Sequence, residues 1–308
     1  MTLTRCGALI IAFAATLSAC QSKEEKAKVA AEAMATRSHQ LQVRLAKVDA
    51  TESDNEPVAL WLMPVELREI SGLALTPDGR LLTHDDEIGK VYELDPRHGM
   101  IEKSFMLGTG LRGDFEAITV AGQDIYLLLS KGILYKFSEG ANGAHVPYTV
   151  HDLGLRKECE FEGVTYEKDS AWLVLPCKKV HDKQLQDELV IYRWKIGTTD
   201  STGLSRLTVP MSDVIGSNKW KTFHPSDITI DPATGNYVIV ASIEKGILVM
   251  TPAGEVLDSQ PLPGRHHQAE GVAITNDSIL IVSDEAGSSP AAVTLYRWKR
   301  SQHGEGSQ

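Results

Sequence analysis

The chain has 308 residues, 42% of them hydrophobic and 23% charged, which allows one large or two ordinary globular domains with a sizeable core. A formal net charge of −10 argues against nucleic acid as a partner, because a phosphate backbone needs a basic surface. The same charge suits a solvated body or one that holds cations.

The elements begin with an N-terminal leader. Arg5 supplies a short positive region, and Ala8 to Leu17 is an apolar run too short to cross a bilayer but of the length of a signal-peptide core. It ends in Leu17-Ser18-Ala19-Cys20, which resembles a bacterial lipobox. The motif implies removal of residues 1–19 and acylation of Cys20, and two or more acyl chains such as palmitate hold a protein on a membrane. Gln21 after the cysteine is compatible with sorting to the outer membrane, facing the periplasm. Residues 20–56 then read as a tether, helical and solvated from Ser22 to Lys47 and loose from Asp49 to Pro57. Cys6 leaves with the leader, so Cys159 and Cys177 are the thiols left in the body, and an oxidising periplasm pairs them. A catalytic thiol is the alternative, but no histidine stands at a recognisable spacing.

From residue 57 to 300 one phrase recurs: an apolar residue, a polar one, a small one, then an apolar strand. It is read as Ile70-Ser71-Gly72-Leu73, Phe115-Glu116-Ala117-Ile118, Phe161-Glu162-Gly163-Val164, Ser226-Asp227-Ile228-Thr229 and Ala269-Glu270-Gly271-Val272. The polar members Ser71, Glu116, Glu162, Asp227 and Glu270 are spaced by 45, 46, 65 and 43 residues. A period near 45 is that of a propeller blade. Each copy continues with a turn, such as Thr76-Pro77-Asp78-Gly79, and a short apolar run, such as Ile125 to Leu129 or Tyr237 to Val240. Such runs suit strands buried on both faces. A third strand alternates, as in Lys90-Val91-Tyr92-Glu93-Leu94.

The fifth copy runs out after three strands, at Thr294 to Trp298, while Val58 to Leu62 precedes the first copy without a partner. Pairing the two leaves no open sheet edge. The expectation is an all-β chain: a single propeller of five four-stranded blades, closed by an N-terminal strand and monomeric. Leu185 to Ser212 reads as an extended outer hairpin in the long third interval, and residues 301–308 as a disordered tail.

In a propeller the recurring polar residues ring the central axis. Glu116, Glu162, Asp227 and Glu270 would then crowd four carboxylates together, which requires a cation, protonation or a lysine. Hard oxygen ligands in a ring suit Ca²⁺ best. The second strand of each blade returns to the same end, adding Asp85, Asp86, Lys131, Lys178, Glu244, Asp284 and Glu285 to Ser71 around the pocket. Loops before the inner strands bring His224, His266 and His267, the candidate bases; the last two are adjacent and point to opposite faces. No nucleophile elbow, zincin motif, phosphate-cradling loop or dinucleotide fingerprint occurs.

Phe161-Glu162-Gly163-Val164-Thr165-Tyr166, Gln268-Ala269-Glu270-Gly271-Val272-Ala273 and Ile281-Val282-Ser283-Asp284-Glu285 resemble the SdiA-regulated family of bacterial envelope β-propellers over residues 58–299. The Cys159…Cys177-Lys178 arrangement is similar to that of some members. Its wider relatives include calcium-dependent lactonases, gluconolactonases and phytase-like esterases, in which axis-facing acids and amides hold the ion. The resemblance implies that role for Glu116, Glu162, Asp227 and Glu270, although this chain is acid-rich where those enzymes use asparagine. Two functions follow as expectations. One is a binding module presenting a Ca²⁺-loaded pocket to an unknown small molecule or envelope protein. The other is a metal-dependent hydrolase of a lactone or phosphoester.

Overall fold

A computed structural model describes residues 23–51, 55–199 and 202–299. The expected signal peptide at 1–19, the expected acylation site Cys20 and the expected tail at 301–308 lie outside the described residues.

Five antiparallel sheets make the body. Blade 1 comprises Ile70–Leu75, Leu81–Asp85, Lys90–Asp95 and Met100–Leu107, with His145–Val146 added in parallel at its outer edge. Blade 2 comprises Phe115–Ala121, Asp124–Leu129, Ile133–Ser138 and Tyr148–Asp152. In blade 3 the inner strand is split into Cys159–Phe161 and Thr165–Glu167, followed by Trp172–Val180, Glu188–Lys195 and Leu204–Pro210. Blade 4 comprises Asp227–Ile230, Tyr237–Ala241, Gly246–Met250 and Val256–Pro261. Blade 5 takes Ala269–Ile274, Ile279–Asp284 and Ala292–Arg297, and its outer strand is Ala59–Leu62. Ala59 pairs with Leu295 and Leu62 with Ala292, which is the closure expected from the strand count. The inner strands touch in a closed ring, blade 1 meeting blades 2 and 5.

Five apolar cores result, one at each seam between neighbouring blades. Blade 4 shows why the second strands read as unbroken apolar runs. Val238 and Val240 pack toward blade 5, whereas Tyr237, Ile239 and Ala241 pack toward blade 3. Both faces are dry, so both parities must be apolar. The long third interval holds the outer strands of blade 3 and a short helix, Met211–Ile215.

The N-terminal helix spans Lys23–Thr51, longer than the expected solvated segment, and its second half is not free-standing. Leu41 and Val48 are buried in the core between blades 1 and 5. The Arg37 guanidinium lies 5.5 Å over the Trp61 ring, and Arg297 donates to both oxygens of Asp49 at 2.8 and 2.9 Å. Ala27 to Ala33 remain exposed. The helix therefore clasps the seam where the ring closes.

Candidate functional site: an acidic mouth and the plug beneath it

The inner strands slip in register where the polar residues of the repeat stand. Pairing shifts between Ile70 and Leu73, between Phe115 and Ala117, and between Ala269 and Gly271. Ser71, Glu116 and Glu270 are thus the extra residues of three β-bulges, and Glu162 falls in the break of the blade 3 strand. A bulge frees its residue from the ladder and re-aims the side chain.

The small residue that follows each one has its own cause. A Cβ on Gly72 would stand 2.9 Å from Ala117 Cα of blade 2, and one on Gly163 would stand 3.1 Å from Asp227 Cα of blade 4. A Cβ on Gly271 would meet the Ser71 carbonyl oxygen at 2.7 Å. Neighbouring inner strands approach so closely that only small residues fit between them.

These contacts also place Asp227. It stands level with Gly163 and Gly72, one position past the glutamates, so the glutamate-equivalent residue of blade 4 is Ser226. The two serines behave alike: Ser71 Oγ donates to the Glu116 carbonyl at 2.9 Å, and Ser226 Oγ donates to the Ala269 carbonyl at 2.6 Å. Asp227 is fully buried. Its Oδ1 accepts the Ile228 N–H at 2.8 Å, and its Oδ2 accepts those of Val272 at 2.8 Å and Leu73 at 3.4 Å. The expected metal ligand is instead a plug tying blades 4, 5 and 1 across the axis, because a carboxylate with its oxygens on backbone amides is already satisfied. Burial, despite those amides, holds its pKa well above the usual carboxylate range.

Glu116, Glu162 and Glu270 do share one space, and Lys178 from the second strand of blade 3 reaches into it. Lys178 donates to Glu162 Oε1, while Glu162 Oε2 is buried with no hydrogen-bond partner among the described residues. Burial, then the Glu162 charge, pushes Glu116 up to about 9 and Glu270 up to about 7. Burial opposes the charge on Lys178, but Glu162, Glu270 and Glu116 together hold it above its ordinary value.

A second group of acids sits beside this ring, between blades 1 and 5. Glu69, Asp86 and Glu285 each offer an oxygen, and the three atoms lie within 4.8 Å of one another. Among the described residues no other three acid, histidine or cysteine side chains come together in this way. Burial and a hydrogen bond with Glu69 push Glu285 up to about 8; burial and the Glu69 charge push Asp86 up to about 6. Asp86 Oδ1 is buried without a partner among the described residues. Sequence reading placed Asp86 and Glu285 at the mouth but missed Glu69, which precedes the recurring phrase instead of lying within it.

The remaining candidates separate. Asp85 Oδ1 caps the turn by accepting the N–H groups of Glu87 and Ile88, each at 3.0 Å. Asp284 accepts the Gln268 N–H at 3.2 Å and lies 2.6 Å from His266 Nδ1. His266 is buried, its Nε2 2.9 Å from Tyr296 Oη, and so supports blade 5 instead of facing solvent. His267 is exposed beside Ser289. Lys131 is exposed in the turn after Leu129. Glu244 grips His224 twice, at the backbone N–H (2.9 Å) and at Nδ1 (2.8 Å), leaving Nε2 free of described partners. His84, which the sequence places with Asp85 and Asp86 at the pocket-facing strand end, is instead fully buried; its Nε2 accepts the Gly72 N–H at 3.2 Å, and burial pushes it down to about 4, so it is neutral. Cys159 and Cys177 form a disulfide behind this mouth.

The five sheets make a five-bladed propeller, and solved structures of similar fold exist. No family model matches the chain, nor does any curated protein. A solved structure of the PQQ-bound aldose sugar dehydrogenase from Streptomyces coelicolor is similar, at 13% identity over 79% of this chain and 97% of that one, with a TM-score of 0.50. The glutaminyl cyclase from Myxococcus xanthus matches at 12% identity, 78% and 94% coverage, and a TM-score of 0.49. At these identities the likeness is one of fold alone.

Proposed function

We propose that the protein is a lipid-anchored binding module of the bacterial envelope. Its acidic mouth holds Ca²⁺ and presents it to a small molecule or an envelope partner. The observation that carries this reading is the convergence of Glu69, Asp86 and Glu285, with a buried Asp86 oxygen that no described residue satisfies. Carboxylates held together above their usual range gain most from a hard dication, and oxygen donors of this kind suit the flexible coordination of Ca²⁺ better than the strict octahedron of Mg²⁺. The ion belongs beside the axial ring, not within it, since Lys178 neutralises Glu162 and Asp227 is consumed by amides. Glu116, Glu162 and Glu270 then deepen the negative field at the entrance. The likeness of the Glu162 and Glu270 phrases to SdiA-regulated propellers supports the reading, as does the lipobox-like segment ending at Cys20, with Gln21 compatible with sorting to the outer membrane.

Calorimetry on the EDTA-treated, desalted protein tests it. Ca²⁺ is expected to bind and to raise the melting temperature, with both effects lost in Glu285→Gln. A protein that takes up no Ca²⁺ sinks the proposal.

A second reading, metal-assisted hydrolysis of a lactone or phosphoester, is favoured by one feature. His224 is oriented by Glu244 with Nε2 free, the arrangement of a general base. Turnover of such esters in the presence of Ca²⁺, abolished in His224→Ala, would establish it.

A further inference from the structure

The largest cavity among those described lies at the other end of the axis from the acidic mouth. Its volume is about 880 Å³, within the range of small-molecule sites. Leu73 and Ile228 line its inner end, and their N–H groups are the ones bound by Asp227. The plug therefore separates the two ends, and whatever occupies this cavity does not reach the acids.

Aliphatic and polar residues share the wall about equally; of its hydroxyls, those of Thr76 and Thr275 donate to Asp78 and Asp277, and four others stand deeper among the aliphatic side chains. Thr119, Thr165 and Thr229 stand level with one another on the inner strands of blades 2, 3 and 4, and Tyr166 adjoins them. Thr119 and Thr165 are only 5% and 8% exposed. None of the four hydroxyls hydrogen-bonds to a described residue, although the same ring carries plain alanine in blades 1 and 5, at Ala74 and Ala273. Valine would fill these strand positions equally well, so the hydroxyls add hydrogen-bonding capacity that faces the cavity and is left to water or to an occupant.

Acids outnumber bases at the rim, where Asp78, Glu93, Asp95, Glu102 and Asp277 stand against Arg80 and Arg97. Arg97 pairs with Asp277 at 3.0 Å, and Arg80 is shared by Asp78, Glu93 and Glu139. The acidic surplus disfavours an anion and offers acceptors to hydroxyl donors, while the inner wall offers apolar contact and hydroxyls that both donate and accept hydrogen bonds.

We propose that this cavity is a second binding site, for a neutral hydroxyl-bearing molecule of the sugar or polyol class held by Thr119, Thr165, Thr229 and Tyr166. Saturation-transfer NMR on the intact protein, with methyl β-glucoside, N-acetylglucosamine and trehalose as probes, tests it. Transfer to at least one probe is expected, and it persists in EDTA because the mouth takes no part. The isosteric Thr165→Val is expected to weaken that binding about fivefold, the loss of one hydrogen bond. Thr119→Val provides a second, independent reading should Thr165→Val fold poorly. Absence of transfer from all three probes overturns the proposal, leaving the hydroxyls to water. So does transfer that both valine variants leave unchanged, or that EDTA abolishes.

Discussion

Oδ2 of Asp227 lies 2.8 Å from the amide nitrogen of Val272, in the next blade of the ring. Through this contact and those to Ile228 and Leu73, one side chain satisfies amides on three of the five inner strands. Replacing it with alanine strands those N–H groups in a dry centre, at a cost of about 3–5 kcal/mol. Asp227→Asn, which keeps one acceptor oxygen, is expected to lose clearly less. Urea denaturation of the three proteins ranks them; an alanine variant as stable as the parent contradicts the plug.

The acidic ring makes stability depend on pH with a definite sign. Glu116 and Glu270 titrate near 9 and 7 in the fold against an ordinary 4.5, chiefly because burial disfavours their charge. The unfolded chain therefore gives up these protons first, and each step from pH 4.5 toward 9 favours unfolding. Below 4.5 both states are protonated and these two groups contribute no slope. Lys178 stays charged throughout, its value being raised above 10.5. Thermal melts in EDTA at constant ionic strength are expected to fall steadily across that window, and less steeply in Glu116→Gln. A melting temperature that climbs from pH 5 to 9 is inconsistent with the buried ring.

Gly271 is required for space. A methyl there would stand 2.3 Å from Ser283 Oγ and 2.7 Å from the Ser71 carbonyl oxygen, and the carbonyl is backbone of the neighbouring blade. Gly271→Ala is expected to cost about 2–3 kcal/mol by overpacking. Gly287→Ala, where a Cβ meets nothing within 4 Å, serves as the control and should melt with the parent.

Cys159 and Cys177, 18 residues apart, join the first two strands of blade 3 where their pairing slips. Closing a loop of that size contributes about 3 kcal/mol. The double substitution Cys159→Ala, Cys177→Ala is expected to lower the melting temperature and remove its sensitivity to reductant. Equal melts with and without dithiothreitol in the parent would show that the bond carries no stability.

The architecture was legible because propeller physics writes itself into the sequence twice: as a period near 45 and as apolar runs that only doubly buried strands require. The disulfide followed from subtraction of Cys6 and Cys20. The site was legible in part. Lys178, Glu162 and Glu270 came together as the repeat implied, but Asp227 was aligned one residue off. In Ser226-Asp227 the polar residue of the phrase is the serine, as Ser71-Gly72 could have indicated, and the aspartate occupies the glycine's place. A single-residue slip reverses a strand's faces, so a ligand became a plug. Glu69 could not be found by period alone, because bulges and loop ends bring it to Asp86 and Glu285. The docked helix left a faint trace: Leu41, Leu45 and Val48 fall on one stripe of an otherwise polar segment.

The pairing of Ala59 with Leu295 has a kinetic meaning as well as a topological one. The first strand of the ring must wait for the last, so four blades can assemble while the fifth still lacks an edge. Until then its exposed backbone is a template for any passing strand, and the final, most non-local contact sets the pace of maturation. A nascent molecule is thus most vulnerable to mispairing in the interval before its two ends meet.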